Sequence, residues 1–134
     1  MEGWKDKCRK MLGATGEAQA ASMLEEMGFQ ILERNFRASH KEIDIVCHDS
    51  ASIRFVEVKT RREPLQGQPW EAVGPVKQRR IVWAAKAYLA SEDFHRKNIR
   101  YSDVYFDVIT IVWNKEGTSC RKEYIPQAFV PIYT

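Results

Sequence analysis

The sequence has little cysteine, and no cysteine pair has the spacing of a metal site. Its three cysteines, Cys8, Cys47 and Cys120, are odd in number and too widely separated for a Cys-x-x-Cys motif. The three histidines, at positions 40, 48 and 95, add no zinc-like spacing to them. Three unpaired thiols are typical of a reducing compartment. The pattern therefore argues against a zinc site and favours a cytoplasmic location.

The sequence also lacks long apolar runs. No stretch approaches the roughly 20 consecutive apolar residues that a membrane-spanning helix needs. No apolar run near the N-terminus resembles a signal peptide. These absences predict a protein without membrane partners and again favour the cytoplasm.

The chain contains enough hydrophobic residues to form one core. The chain has 134 residues, of which 44% are hydrophobic, including four Trp, five Tyr and six Phe. That length fits one ordinary domain. We expect residues 1–12 to form a basic arm or frayed helix and residues 13–134 to form the domain. The net charge of +3 is too small to indicate a nucleic-acid partner by itself.

Hydrophobic periodicity predicts the order helix, three strands, helix, strand, which is an α/β fold with a mixed central sheet flanked by helices. Thr15 is a plausible N-cap of the first helix, and residues 91–103 read as a loop. The predicted helices are 15–27 and 76–90, the predicted strands are 29–36, 42–47, 53–60 and 105–113, and shorter strands are expected at 123–125 and 129–132.

The second and third strands carry ionisable side chains two residues apart. Alternation predicts Glu42 and Asp44 on one face of the second strand, with Ile43 and Ile45 on the other. In the third strand it predicts Phe55, Glu57 and Lys59 on one face and Val56 and Val58 on the other. A half-solvated sheet with ordinary surface charges would give the same pattern.

If these two strands pair, Asp44 and Glu57 lie side by side. Two carboxylates about 4 Å apart repel by roughly 4 kcal/mol at an effective dielectric of about 20. A shared proton, the Lys59 ammonium or a divalent metal could offset that repulsion. Phosphodiester cleavage uses such a metal together with a polarised water, and Lys59 could orient that water or stabilise the charge on phosphorus.

Asp44, a gap of twelve residues, and Glu57-Val58-Lys59 resemble the motif of the PD-(D/E)xK nuclease superfamily. The rest of the chain resembles the YraN-like family, a bacterial group of predicted endonucleases similar to archaeal Holliday-junction resolvases. The matching segments are Gly13, Gly16-Glu17, Ala20, Gly28, Ile31-Leu32, Arg34-Asn35, Arg37, Glu42-Ile43-Asp44, residues 55–61, Ala72-Val73, Lys77, Phe106-Asp107-Val108 and Gln127-Ala128-Phe129.

The resemblance implies a restriction-endonuclease-like fold with an α-β-β-β-α-β core and an endonuclease acting on DNA, including branched or junction DNA, with Mg²⁺ or Mn²⁺. It implies that Asp44 and Glu57 bind the metal and that Lys59 is catalytic. Glu17 matches a helical carboxylate that reaches the metal pocket, although a favourable interaction with the helix dipole would explain it equally well. Glu42 either binds a second ion or faces solvent.

Basic residues around this motif are candidates for phosphate contacts. Arg61 and Arg62 follow Lys59 directly and are expected in a loop that leaves the site. Lys77, Arg79 and Arg80 could contact phosphates from the second helix or form a solvated face. Lys41 stands where the family usually has Gly, which places a cation beside the pocket. Asp107 is expected to be structural, accepting a backbone or Arg hydrogen bond at a strand centre, with a remote role in the site as the alternative.

Two further alternatives stay open. The chain could be a non-catalytic nucleic-acid-binding or scaffold domain that keeps a nuclease fold, because fold does not fix function. It could also be a homodimer in which the basic N-terminus, Trp4 and Trp70 contribute to self-association.

Overall fold

The computed structural model describes residues 14–65 and 73–131, apart from the side chains of Ala14 and Thr15. These residues form three helices and five strands. In chain order they are α1 (Ala14–Glu26), β1 (Gln30–Ala38), β2 (Lys41–His48), β3 (Ser52–Arg62), α2 (Pro75–Leu89), α3 (Glu92–Arg96), β4 (Asp103–Trp113) and β5 (Cys120–Phe129).

The strands form one mixed sheet in the order β1-β2-β3-β4-β5. The first three strands are antiparallel neighbours, β3 and β4 run parallel, and β5 returns antiparallel to β4. A parallel pair needs a crossover connection, and α2 supplies it. The prediction of a mixed α/β sheet flanked by helices is confirmed at this level.

Helices cover both faces of the sheet, so the core has two layers. On one face, Ala20, Ala21 and Leu24 of α1 pack against the sheet. On the other, Ile81, Ala84, Ala85 and Tyr88 of α2, with Phe94 of α3, do the same. We call these the α1 face and the α2 face.

The predicted alternation is confirmed in β3 and wrong in β2. Phe55 packs on the α2 face, whereas Val56 and Val58 pack on the α1 face. In β2, however, Ile43 lies on the α2 face and Ile45 on the α1 face, so these two residues do not share a face. The regular alternation of β2 is interrupted at Asp44, the residue between them.

Three further differences from the predicted elements concern connections. The segment 91–103 contains the short helix α3, whose N-cap Ser91 accepts a hydrogen bond from the Phe94 backbone N–H. The two short final strands are one strand, β5, which continues through Pro126. Arg61 and Arg62 are not in a loop, because they pair with Val112 and Trp113 as the last residues of β3.

Several predictions lie outside the described residues: the arm at 1–12, Trp4 and Trp70, residues 66–70 of the loop predicted after Lys59, and the last residue of the strand expected at 129–132. The prediction of Thr15 as an N-cap is wrong, because α1 already includes Ala14 and Thr15 is a residue within the helix. None of the helices among the described residues is long and apolar enough to cross a membrane.

Candidate active site

Asp44 lies where β2 and β3 stop pairing. Their last paired residues are Ile45 and Val56, although both strands continue past this point. The Asp44 carboxylate takes over as the partner, because its Oδ2 accepts a hydrogen bond of 2.8 Å from the Val58 backbone N–H. In the neighbouring strand β1, the residue opposite Asp44 is Asn35, whose φ is +55°. We call this place the β2–β3 split.

Three carboxylates meet at the split. One oxygen from each of Glu17, Glu42 and Asp44 lies within 4.8 Å of the others. Glu17 is in the first turn of α1 and precedes Ala20, Ala21 and Leu24 by about one and two turns, so the helical repeat directs it toward the sheet. Glu42 also contacts the exposed Arg37, with 3.6 Å between Arg37 Nη2 and Glu42 Oε2.

Asp44 is poorly stabilised as an anion. Burial, followed by the negative charge of Glu57, raises its pKa to about 8, while the Val58 N–H works in the opposite direction. Glu17 raises the pKa further. The predicted closeness of Asp44 and Glu57 is consistent with the effect of Glu57 on this pKa.

Glu57 is different, because two lysines neutralise it. It is 5% exposed, and its Oε1 lies 3.1 Å from Lys59 Nζ and 3.6 Å from Lys77 Nζ. Lys77 precedes Ile81 by one helical turn on the buried stripe of α2, so it extends from that stripe onto the sheet. Glu57 lies outside the cluster of three carboxylates among the described residues.

The first turns of α1 and α2 therefore each direct one charged residue at the split, Glu17 from the α1 face and Lys77 from the α2 face. The result is an acidic cluster beside the Glu57 carboxylate, which the ammonium groups of Lys59 and Lys77 neutralise. Oxygen donors of this kind suit a hard divalent cation, and ammonium groups suit a phosphate. The arrangement has the parts that a site for phosphodiester chemistry needs.

The other predicted phosphate-contacting residues are dispersed. Lys41 Nζ lies 4.2 Å from the centre of the Trp83 ring of α2, which is a cation–π contact. Arg61 is exposed at the end of β3, where its Nη1 donates to the Thr60 carbonyl at 3.1 Å. Arg62 is exposed beside it, and Arg79 and Arg80 are exposed on α2, apart from the inward Lys77.

Asp107 has the structural role that was predicted for it. It is fully buried and lies 3.2 Å from Arg54 Nη1. Its Oδ1 also accepts a hydrogen bond of 2.9 Å from the Gln127 N–H, and its Oδ2 accepts one of 2.5 Å from the Tyr124 hydroxyl. The carboxylate is therefore neutralised inside the protein, away from the split.

Sequence reasoning missed Arg54, Tyr124 and Trp83. Arg54 occupies a strand position between apolar residues, where a charge shielded from solvent needs a partner of opposite charge. This position was an available signal for a buried acidic partner, which in the structure is Asp107. Trp83 lies off the buried stripe of α2, and a large aromatic there is a signal for a contact surface. Tyr124 carried no such signal.

Comparison with known proteins gives a consistent family match. The sequence profile described as uncharacterised protein family UPF0102 matches residues 16–111. A UPF0102 protein of Syntrophus aciditrophicus is 44% identical over 121 residues, covering 90% of each chain. A UPF0102 protein of Geobacter sulfurreducens is 43% identical over 124 residues, covering 92% of each chain. One of Anaeromyxobacter dehalogenans is 42% identical over 121 residues, covering 90% of this chain and 85% of its own.

Proposed function

Because the chain belongs to the UPF0102 family, the YraN-like group that its sequence resembles, we propose that it is a metal-dependent nuclease that hydrolyses DNA phosphodiesters. The resemblance to PD-(D/E)xK nucleases supplies the reaction class, and the geometry of the split supplies the residues. Branched or junction DNA is the substrate form that the resemblance favours.

One observation carries the proposal: Glu17, Glu42 and Asp44 converge from α1 and β2 with oxygens within 4.8 Å of one another. Burial and neighbouring carboxylates raise the pKa of Asp44, so the cluster is costly as a set of anions without a cation. A fold keeps such a group at a cost in stability, and active sites are where such costs concentrate.

The donor set fits Mg²⁺ or Mn²⁺. All three groups are carboxylates, which are the ligands that hard divalent cations prefer. Glu17, Glu42 and Asp44 would hold the ion, with Glu57 adjoining through its contact with Asp44. When bound, the ion would supply charge neutralisation at the phosphate and polarisation of the attacking water.

The lysines supply the remaining positive charge. Lys59 is held by Glu57 at 3.1 Å and orients the attacking water or stabilises charge on the phosphate. Lys77 reaches the same Glu57 oxygen from α2 at 3.6 Å and binds a phosphate from the opposite side. Glu57 thus positions both ammonium groups beside the acidic cluster.

A second candidate function is a non-catalytic nucleic-acid-binding domain. The observation that favours it is the same double contact, because Lys59 and Lys77 neutralise Glu57 without any metal. On this alternative the lysines bind phosphate, and the three carboxylates need no ion.

A cleavage assay separates these functions. Linear duplex, single-stranded and four-way-junction DNA are incubated with the protein in Mg²⁺, in Mn²⁺ and in EDTA. The parent protein is expected to cut only with metal, while Asp44→Asn and Lys59→Ala are expected to leave the DNA intact. Lys122→Ala is the matched control, because Lys122 is exposed on β5 and should cut like the parent.

If all four proteins cut equally, the activity comes from a contaminant or from another site. If none cuts any substrate with either metal while DNA binding is retained, the binding-domain alternative replaces the nuclease.

A further inference from the structure

α2 has a second, outward face that the proposed reaction does not use. Positions 78, 79, 82, 83 and 86 recur with helical spacing opposite the buried stripe, and with Pro131 they border a groove of about 320 Å³. The groove is lined by Gln78, Arg79, Val82, Trp83, Lys86 and Pro131. It is a distinct surface on the same helix that supplies Lys77 to the site.

The groove combines an exposed aromatic ring with positive charge. Trp83 is 47% exposed, although a tryptophan usually buries most of its surface in a core. Arg79 and Lys86 lie in the groove lining, and Lys41 stands over the Trp83 ring. None of the described residues that line the groove is acidic. A polyanion with flat apolar groups matches this chemistry.

The groove is also close to the candidate active site in the sequence, because residues that line or contact the groove directly adjoin residues of the site at two places in the chain. Gln78 and Arg79 follow Lys77, which contacts Glu57. Lys41, which contacts Trp83, precedes Glu42 of the acidic cluster. A strand whose phosphate lies at the site would reach the groove by passing from the sheet side of α2 to its outer side.

We propose that the Trp83 groove binds an unpaired nucleotide segment of the substrate, with a base stacked on Trp83 and the backbone phosphates beside Arg79. This inference rests on the proposed action on nucleic acid and specifies a single-stranded part of the substrate. Proteins that bind single strands combine a basic groove with aromatic side chains on which the bases stack. In a duplex the bases are already stacked on each other and are not available to the ring.

A second copy of the chain is the competing occupant, since Val76 and Val130 are also exposed. In a two-fold dimer each copy contributes the same patch. Such pairing would bring the basic groove of one copy against the basic groove of the other, which costs free energy by charge repulsion. Charge complementarity therefore favours the nucleic acid.

The test is binding without metal, so that no cleavage is required. The full-length protein in EDTA is titrated with an oligothymidylate of about 12 nucleotides, within the site sizes of single-strand binders. Tryptophan fluorescence and fluorescence anisotropy are followed, and a duplex of equal length is compared. Trp83→Ala, Trp83→Phe and Arg79→Ala are the variants. Arg100→Ala and Tyr101→Ala are the matched controls, because both residues are exposed and neither lines the groove.

Trp83→Ala is expected to weaken single-strand binding roughly 5- to 150-fold, the range for loss of one stacked base, and duplex binding much less. Trp83→Phe is expected to retain most of the affinity and to lose most of the fluorescence change, since Phe can stack but does not report as Trp does. Arg79→Ala is expected to weaken binding and its salt dependence, whereas the two controls bind like the parent.

Equal affinity of the parent and Trp83→Ala would overturn the inference. So would an equal loss for duplex and single strand, because the groove would then be a general phosphate surface. If size-exclusion chromatography shows a dimeric parent and a monomeric Trp83→Ala, the occupant is a second copy. If the protein binds single strands at Trp83 but never cuts DNA, the inference about the groove stands and the proposed nuclease activity is rejected.

Discussion

Asp107 and Asp44 are both carboxylates within the central sheet, and the protein treats them in opposite ways. Asp107 is fully buried and has a guanidinium, a phenol and a backbone N–H as partners. Asp44 has one backbone N–H, and its other close groups are carboxylates. Arg54 completes the Asp107 cluster, whereas the charged groups that act most strongly on the pKa of Asp44 are carboxylates.

The difference distinguishes a structural carboxylate from one that is kept for another purpose. A buried charge that is neutralised by its own chain fixes the packing around it. A buried carboxylate beside other carboxylates destabilises the fold until a proton or a cation joins it. The two sites should therefore respond oppositely to substitution, metal and pH, and the following predictions are ordered from the largest expected effect to the smallest.

Asp107→Ala is expected to lower the free energy of unfolding by about 3–5 kcal/mol, because it leaves the partly buried Arg54 guanidinium without its charge partner. Urea denaturation measures this change. Glu92→Ala is the control, since Glu92 forms an exposed ion pair with Arg96 and should leave stability nearly unchanged. Equal stability of the two variants would mean that the Asp107 cluster is not structural.

Lys59→Ala is expected to reduce kcat for cleavage by about 10²–10³-fold, the usual effect of removing one group that stabilises developing charge. The fold should persist because Lys77 still neutralises Glu57. Single-turnover kinetics measures the cleavage rate, and circular dichroism shows whether the variant is folded. A rate that falls no further than in Lys122→Ala would remove Lys59 from the reaction.

Divalent metal is expected to stabilise the parent by RT ln(1 + [L]/Kd), about 1.4 kcal/mol at ten times Kd. Asp44→Asn should gain almost nothing because it removes a central oxygen donor, whereas Lys59→Ala should gain as much as the parent. Thermal melts with and without Mg²⁺ measure the gain. Equal shifts in all three proteins would place the ion elsewhere.

The pH dependence of stability should distinguish Asp44 in metal-free buffer. Its folded-state pKa of about 8 is above the unfolded value, so the folded state holds more protons between these two values. Stability should therefore fall as pH rises from about 4 to about 8. Asp44→Asn should remove this part of the slope and be more stable than the parent at pH 8, which urea denaturation at several pH values measures.

The exposed arginines should give the smallest effect. Arg61→Ala is expected to reduce the slope of log K against log salt for duplex DNA by about 0.9, the contribution of one phosphate contact. Arg121→Ala is the matched control, because Arg121 already pairs with Glu63 and Glu123. Binding isotherms at several salt concentrations measure the slopes, and identical slopes would exclude Arg61 from the interface.

The sequence was sufficient to predict β3 because its pairing with β4 is unbroken from Ser52 to Arg62, including the part that carries the site. There the two-residue repeat places Glu57 on the face of Phe55. In β2 the same reasoning failed at Asp44. The cause lies across strands, in the positive φ of Asn35 and in an Asp44 side chain that replaces a backbone partner. A single-strand pattern does not contain that information.

Other parts of the site depended on packing between distant segments. The helical repeat alone turns Lys77 toward the core, but its contact with Glu57 depends on how α2 lies on the sheet. By contrast, α3 could have been predicted, since Ser91 followed by Glu92 and Asp93 is a helix-start signal. Pro126 suggested two separate strands, yet β5 is an edge strand, where a proline costs no ladder hydrogen bond.

The rigid helix α2 fixes the distance between the candidate active site, at Lys77, and the proposed base-binding groove, at Trp83. Lys77 and Trp83 are six residues apart, which is about 9 Å along a helix axis. Because both residues are fixed on one helix, the separation between the phosphate bound near Lys77 and the base stacked on Trp83 is set by the protein. For a strand bound as proposed, the cut would fall at a fixed offset from the stacked base, whatever the sequence between them.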